Sequence, residues 1–165
     1  MQQPIVISGA GILGCYISCA LSLQGIDSIV LEKKDDEVED SIRTITLNPF
    51  SKNLLDKIGI ENDYSMINKM EVKDFDGTGK IVFKSREIGM DHLAYVSDFA
   101  TLLKAVRKKA SEKILYKEEI IDIDNKGDLN EVTLSSGKVI KTNLIISSDG
   151  KNSVSYTHLT LPTKA

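Results

Sequence analysis

The strongest constraint on the fold is a glycine-rich segment near the start of the chain, Gly9-Ala10-Gly11-Ile12-Leu13-Gly14. It follows a β-branched run at Pro4–Ser8, which predicts a buried strand. It also opens a stretch with helical spacing that we expect to stop at Gly25. A second strand is predicted at Ser28–Leu31, and it ends at Glu32. This order of strand, G-x-G-x-x-G loop, helix, strand and acidic residue predicts a βαβ unit that binds a dinucleotide.

The three glycines of this loop have separate physical reasons to be there. Gly9 permits the tight turn out of the strand, and Gly11 leaves room for a pyrophosphate to approach the backbone. Gly14 lets the helix pack closely on the sheet. A glycine-rich surface turn is the alternative interpretation of the motif taken alone.

Two further groups complete the predicted site. The predicted helix begins near Ile12 and Leu13, and at this end the helix dipole and the free backbone N–H groups of these two residues favour an anion. Glu32 ends the second strand, where its carboxylate can accept hydrogen bonds from a ribose diol. Glu32 also begins a charge-rich run that extends to Asp40, so a solvated loop is its alternative interpretation.

Composition and charge exclude several classes of protein. The 165 residues include 21 Lys and Arg against 24 Asp and Glu, a net charge of -3, whereas nucleic-acid recognition needs a basic face. No apolar run approaches the roughly 20 residues of a membrane-spanning helix. The start of the chain lacks the basic region of a signal peptide, so we expect a cytoplasmic protein with no transmembrane segment.

The first predicted helix contains both cysteines, Cys15 and Cys19. They are too few for a disulfide scaffold or a zinc site, so we expect small packing residues and no metal. Apolar residues recur along this segment at the spacing of an amphipathic helix: Leu13, Ile17, Ala20 and Leu21.

The middle of the chain mixes strands and helices. An extended segment is predicted at residues 42–46, followed by a helix that Asn48 caps and that Gly59 stops. Alternating strands are predicted between Met66 and Val96. Asp98 is expected to cap another helix, whose basic residues we interpret as a solvated outer face: Lys104, Arg107, Lys108 and Lys109.

The last third of the chain is rich in strands again, at residues 119–123, 131–134 and 139–141. An apolar strand at residues 144–147 then delivers Asp149 and Gly150 at its carboxyl end. Open α/β sheets present ligand groups in this position. An Asp-Gly turn is the alternative interpretation.

These pieces together carry a family resemblance. The chain resembles the N-terminal part of class A flavoprotein monooxygenases, the aromatic hydroxylases that bind FAD and use NAD(P)H, and is most similar to the ubiquinone-biosynthesis hydroxylases. The matching segments are residues 9–14, Glu32, Ser41–Leu47 with the helix that runs to Gly59, and the Asp-Gly fingerprint at Leu144–Ser153.

The resemblance implies a fold and a domain organisation. The fold is α/β, a Rossmann-like FAD-binding fold of the glutathione-reductase type, with a parallel sheet and a β-meander crossover. Residues 1–153 would form the N-terminal part of the FAD-binding domain. Within it, the strands of about 66–96 would begin a substrate domain, so the fold is expected to be incomplete.

The resemblance also assigns roles residue by residue. Gly9, Gly11 and Gly14 would hold the FAD pyrophosphate, with the N–H groups already described, and Glu32 would hold the adenosine ribose. Arg43 would lie near the flavin side of the pyrophosphate, and Asp149 would support the nucleotide pocket. The implied reaction hydroxylates an aromatic or quinone-precursor ring with NAD(P)H and oxygen, and the complete enzyme could associate peripherally with a membrane. No residue is assigned as catalytic.

The chain departs from the family pattern in two ways. The family's arginine after Ser153 is replaced by Val154-Ser155-Tyr156, and the family's second half, with its Gly-Asp-Ala motif, is absent from this sequence. The run from Val154 to Thr163 resembles a translated sequencing adapter. We therefore expect residues 154–165 to be non-native and the fragment alone to be inactive. The alternatives are another FAD- or NAD-dependent oxidoreductase, or a nucleotide-binding module without chemistry of its own.

Overall fold

The computed structural model describes residues 3–39, 42–127 and 129–150, and these form two compact units. The first unit contains the residues up to Val38 and those from Val106 onward, and the second is Glu39–Ala105. The predicted adapter-derived tail and the residues that follow Gly150 lie outside the described residues.

The elements alternate between strands and helices. The helices are α1 (Ile12–Leu23), α2 (Pro49–Lys57) and α3 (Phe99–Ala110), with short 3₁₀ segments at Ser85–Ile88 and Ser111–Lys113. The strands are β1 (Ile5–Ser8), β2 (Ser28–Glu32), β3 (Thr44–Leu47), β4 (Ser65–Ile67), β5 (Lys69–Lys73), β6 (Lys80–Lys84), β7 (Ala94–Asp98), β8 (Ile114–Tyr116), β9 (Ile120–Asn125), β10 (Asn130–Leu134), β11 (Val139–Thr142) and β12 (Ile145–Ser147).

A four-stranded parallel sheet organises the first unit, in the order β12-β1-β2-β8. The central strand β1 places Val6 between Ile29 and Ile145, so β-branched side chains lie side by side across the sheet. The sequence predicted β1, β2 and β12, and they are confirmed. Strand β8 was missed, because its three residues give almost no periodic signal and, unlike the equally short β12, are followed by no recognisable motif.

An antiparallel meander, β9-β10-β11, also belongs to the first unit. Its inward side chains join those of the parallel sheet in one buried cluster: Val6, Leu31, Ile120, Val132, Leu134 and Ile140. The predicted fold class is therefore confirmed, since the unit is α/β with a parallel sheet and a β-meander.

The buried face of α1 consists of small residues. Leu13 is 61% exposed, whereas the buried residues of the helix are Gly14, Cys15, Ser18 and Cys19. Small side chains allow the helix to lie close to the sheet, and Ser18 Oγ is 2.8 Å from Ser28 Oγ on β2. The apolar residues at helical spacing lie beside this face, with Ile17, Ala20 and Leu21 partly buried, while Cys15 and Cys19 pack inward as the sequence predicted.

The second unit holds a three-stranded antiparallel sheet, β3-β7-β4, and the separate hairpin β5-β6. The predicted caps are confirmed, because the side chain of Asn48 accepts from the Ser51 N–H at 2.7 Å and that of Asp98 accepts from the Thr101 N–H at 2.7 Å. Gly59 follows α2 with a φ of +73°. The assignment of residues 66–96 to a substrate domain stays a prediction.

Candidate functional site: the glycine loop and the ends of β1, β2 and β12

Gly9 makes the turn from β1 toward α1 at a point where the chain is crowded. Its φ is +100°, a region that side chains disfavour, and its N–H donates to the Leu31 carbonyl at 2.8 Å. A Cβ at this position would lie 2.7 Å from the Ser148 carbonyl oxygen and 2.8 Å from the Asp149 Cα. Glycine is therefore required both by the backbone conformation and by the close approach of the chain after β12.

Gly14 lies in the first turn of α1, against the same loop. A Cβ here would overlap the Gly9 carbonyl oxygen and would lie 2.6 Å from Ser148 Oγ. Ser148 Oγ itself donates to the Ser8 and Gly9 carbonyls at 2.8 and 3.0 Å. The absence of a side chain at position 14 thus brings α1, β1 and the end of β12 together.

Gly11 is different from the other two glycines. Among the described residues, no heavy atom lies within 4 Å of the place where its Cβ would be. Its backbone is extended, with a φ of -73°, and in the described structure no side chain caps α1. The first intrahelical bond runs from the Cys15 N–H to the Gly11 carbonyl at 3.0 Å.

The start of α1 consequently fits an anion. The N–H groups of Ile12 and Leu13 belong to the first turn, where helix geometry provides no intrahelical acceptor. The first turn contains no acidic residue that would repel a phosphate. The open space at Gly11 and these N–H groups are what a pyrophosphate requires.

Glu32 ends β2 with its carboxylate held by the backbone. Oε2 accepts from the Ala10 N–H at 3.1 Å, and Oε1 accepts from the Lys34 N–H at 3.1 Å. The side chain is only 12% exposed, so Glu32 is not part of a freely solvated loop. Its carboxylate is fixed beside the glycine loop, at the carboxyl end of β2.

Arg107, on α3, is the site residue that the sequence analysis placed wrongly. It was expected on the outer basic face, but it is 8% exposed. Its Nε donates to the Ala10 carbonyl at 2.9 Å, and its Nη2 lies 3.1 Å from Glu32 Oε2. Helical spacing could have found it, because Arg107 falls four residues after buried Leu103 and three before buried Ala110.

Asp149 is fixed at the end of β12. Its Oδ2 accepts from Ser8 Oγ at 3.1 Å, and its Oδ1 accepts from Ser147 Oγ at 2.7 Å. Asp149, Gly9 and Glu32 line one cleft at the carboxyl ends of the parallel strands. The structure thus brings together three of the predicted cofactor-binding residues in the position where open α/β sheets bind ligands.

Arg43 belongs to the second unit. Its guanidinium lies 4.2 Å above the centroid of the Phe99 ring, and its carbonyl accepts from the Phe99 N–H at 2.9 Å. The placement of Arg43 at the pyrophosphate stays a prediction.

Cys15 and Cys19 are buried free thiols, as the packing interpretation predicted. Burial raises the pKa of the Cys15 thiol from its ordinary value near 9 to about 12, and it also raises the pKa of Cys19. Thiols held in the protonated form are poor nucleophiles and poor metal ligands. Within the described residues, no group of three or more His, Cys, Asp or Glu could hold a metal ion, and no helix is long and apolar enough to span a membrane.

The fold and the loop define an α/β dinucleotide-binding protein. A family model described as an FAD binding domain matches residues 2–165, and the chain belongs to this family. FAD, the cofactor predicted from the sequence, is therefore confirmed as the cofactor of the family.

The chain is similar to curated monooxygenases of ubiquinone biosynthesis, which confirms the predicted resemblance. It is 26% identical to the ubiquinone biosynthesis monooxygenase COQ6, mitochondrial, of Danio rerio, over 96% of this chain and 38% of that protein. It is 26% identical to the 3-demethoxyubiquinol 3-hydroxylase of Escherichia coli (strain K12), over 92% of this chain and 43% of that protein. The chain thus spans about two fifths of the length of these relatives.

A solved structure shows the same fold. The p-nitrophenol 4-monooxygenase PnpA of Pseudomonas putida DLL-E4 superposes with a TM-score of 0.77 at 17% identity, covering 97% of this chain and 44% of that chain.

Proposed function

We propose that this chain is the FAD-binding N-terminal part of a flavin-dependent monooxygenase that hydroxylates an aromatic or quinone-precursor ring. The observation that carries the proposal is the open space at Gly11, in front of an uncapped helix start and beside a fixed carboxylate at Glu32. Such a cradle suits the pyrophosphate and adenosine ribose of a dinucleotide.

Each part of the cradle has one task in holding the cofactor. The N–H groups of Ile12 and Leu13 donate to the pyrophosphate, and Gly11 lets it come close. Glu32 accepts from a hydroxyl of the adenosine ribose. Asp149 lines the nucleotide cleft, and Arg43 supplies positive charge on the flavin side of the pyrophosphate.

When bound, FAD supplies the oxidation–reduction chemistry. In the proposed reaction NAD(P)H, a proton, oxygen and the aromatic substrate give NAD(P)⁺, water and the hydroxylated ring. The protein's contribution is to position the cofactor and to exclude water from it. The names of the two curated relatives, both concerned with ubiquinone biosynthesis, support a quinone-precursor ring as the substrate class.

The proposal is tested with the protein expressed from the native gene, sequenced through the codons after Ser153 and without the adapter-like residues. We expect bound FAD and a consumption of NAD(P)H and oxygen that rises when a phenolic quinone precursor is added. FAD without any oxygen-dependent turnover would favour another FAD-dependent oxidoreductase. A protein that binds adenine dinucleotides without redox activity would favour a binding module.

A further inference from the structure

We propose that Arg107 is a positioning residue for FAD, and that it acts by fixing Glu32 and the Ala10 peptide units behind the glycine loop. This inference rests on the proposed function, because it concerns how the same cradle holds the adenosine ribose and the pyrophosphate. Arg107 touches neither group in the proposal. Its role is to set the orientation of the backbone and the carboxylate that do.

The guanidinium makes two contacts with the cradle at once. Nε donates to the Ala10 carbonyl at 2.9 Å, and Nη2 donates to Glu32 Oε2 at 3.1 Å. The side chains of Arg107 and Glu32 are 9% and 12% exposed, so water screens the pair weakly. A planar guanidinium can satisfy two acceptors in a fixed geometry, which a lysine ammonium does not do.

The same contacts fix two successive peptide units of the loop. The N–H of Ala10 donates to Glu32 Oε2, which orients the peptide between Gly9 and Ala10. The carbonyl of Ala10 accepts from Arg107, which orients the peptide between Ala10 and Gly11. In a trans peptide the N–H and the carbonyl point in opposite directions, so the Gly11 N–H is turned away from Arg107. Arg107 thus contributes to the direction of a donor at the predicted pyrophosphate position.

The hydrogen bonds of Glu32 leave a defined acceptor position for a ligand. Oε2 already accepts from the Ala10 N–H and from Arg107, whereas Oε1 accepts from the Lys34 N–H alone among the described residues. Each carboxylate oxygen has two lone-pair positions. The remaining position is therefore on Oε1, and Arg107 keeps the carboxylate turned so that this oxygen stays available for a ribose hydroxyl.

Removal of Arg107 would disturb both the Glu32 carboxylate and the Ala10 peptide carbonyl. Glu32 would keep its burial but lose its countercharge, which favours rotation of the carboxylate toward water. The Ala10 carbonyl would lose its donor, so the peptide between Ala10 and Gly11 would no longer be held from that side. Both changes act on FAD binding without the loss of any atom that contacts the cofactor.

The experiment measures the dissociation constant of FAD by flavin fluorescence, with the apoprotein expressed from the native gene. A second ligand is an FAD analogue in which the adenosine ribose lacks both hydroxyls. The variants are Arg107→Met and Arg107→Lys, and the matched control is Lys108→Met, since Lys108 is the exposed neighbour on the same helix. Circular dichroism of each apoprotein establishes that the variant is folded.

We expect Arg107→Met to weaken FAD binding by about 10- to 100-fold, the range for hydrogen bonds to charged groups. Binding of the analogue should weaken less than binding of FAD. The ratio of the two dissociation constants, which measures the preference of the wild type for the ribose hydroxyls, should therefore be close to one in this variant. If Arg107→Met does not fold, Arg107→Lys carries the test, because it keeps the charge but lacks the planar group that holds both acceptors in a fixed geometry. Arg107→Lys should lose part of this preference for the ribose hydroxyls, but less of it than Arg107→Met loses. Lys108→Met should bind both ligands with the dissociation constants of the wild type.

Two results would overturn the inference alone. One is that Arg107→Lys, and also Arg107→Met if it folds, bind FAD and the analogue with the dissociation constants of the wild type. The other is an equal loss for FAD and for the analogue, which indicates general damage rather than positioning of Glu32. A wild-type protein that binds neither ligand would instead contradict the proposed function, and the inference with it.

Discussion

The backbone carbonyl oxygen of Gly9 lies where a Cβ on residue 14 would stand, so Gly14 packs directly against Gly9. Gly11, two residues away from Gly9 in the same loop, meets none of the described residues in this way. The glycines of one motif therefore have separable roles. Two are required for the chain to fold, and the third leaves space that the described part of the protein does not use.

The first prediction concerns Gly14. Gly14→Ala should lower the free energy of unfolding by about 3 kcal/mol or more, the upper end of overpacking costs, because the new methyl group meets backbone that cannot move aside. The matched control Gly11→Ala should stay within about 1 kcal/mol of the wild type, since its methyl group enters open space. Urea unfolding followed by circular dichroism measures both, and equal stability of the two variants would contradict the packing account.

The second prediction concerns alkaline pH. The pKa of Cys15 is raised from its ordinary value near 9 to about 12, because burial disfavours the thiolate. The unfolded chain therefore releases this proton at lower pH than the folded chain does. This group leaves the free energy of unfolding unchanged well below pH 9 and lowers it as the pH rises above 9, by about 1 kcal/mol at pH 10.

The measurement for Cys15 compares urea unfolding at pH 8, 9 and 10 in the wild type and in Cys15→Ala. The variant should show a shallower decline between pH 9 and pH 10, because it has no thiol to ionise at this position. The decline that remains belongs to the other groups, including Cys19, whose pKa burial also raises. Identical slopes in the two proteins would show that Cys15 does not resist ionisation.

The third prediction concerns acid pH and the cap of α3. The pKa of Asp98 is lowered, first of all because its carboxylate accepts from the Thr101 N–H. This contribution to stability is complete above the pKa of the unfolded chain and is lost as the pH falls through the lower pKa of the folded chain. Asp98→Ala should therefore be less stable than the wild type at pH 7, and the difference should shrink toward pH 2. A difference that does not change with pH would rule out the charged cap.

The fourth prediction concerns the core between the parallel sheet and the meander. Leu134 is fully buried in the cluster that includes Val6 and Leu31. Leu134→Ala should cost about 2–5 kcal/mol, because the cavity it leaves cannot close fully. Val139→Ala, on the neighbouring strand β11 and 52% exposed, should cost less than about 1 kcal/mol. If urea unfolding showed similar losses in the free energy of unfolding for the two variants, the assignment of Leu134 to the core would be contradicted.

Local patterns made several elements of both units predictable. The strand runs at β1 and β2, the glycine loop between them and the caps at Asn48 and Asp98 each depend on residues a few positions apart. Helical spacing could have placed Arg107 on the buried face of α3, but no local pattern identifies its partner Glu32, which lies 75 residues earlier in the chain. The burial of Ser18 on α1 was also out of reach, since it depends on the contact with Ser28 on β2.

The most direct test of the account is the FAD content of the purified protein from the native gene, compared between the wild type and Gly11→Val. The Cβ of a residue at position 11 meets no described heavy atom within 4 Å, and the rest of a valine side chain would fill space in front of α1, so the variant should fold and yet contain no FAD. The wild type should contain a stoichiometric amount of FAD. Equal flavin content in the two proteins would contradict the claim that this loop holds the pyrophosphate.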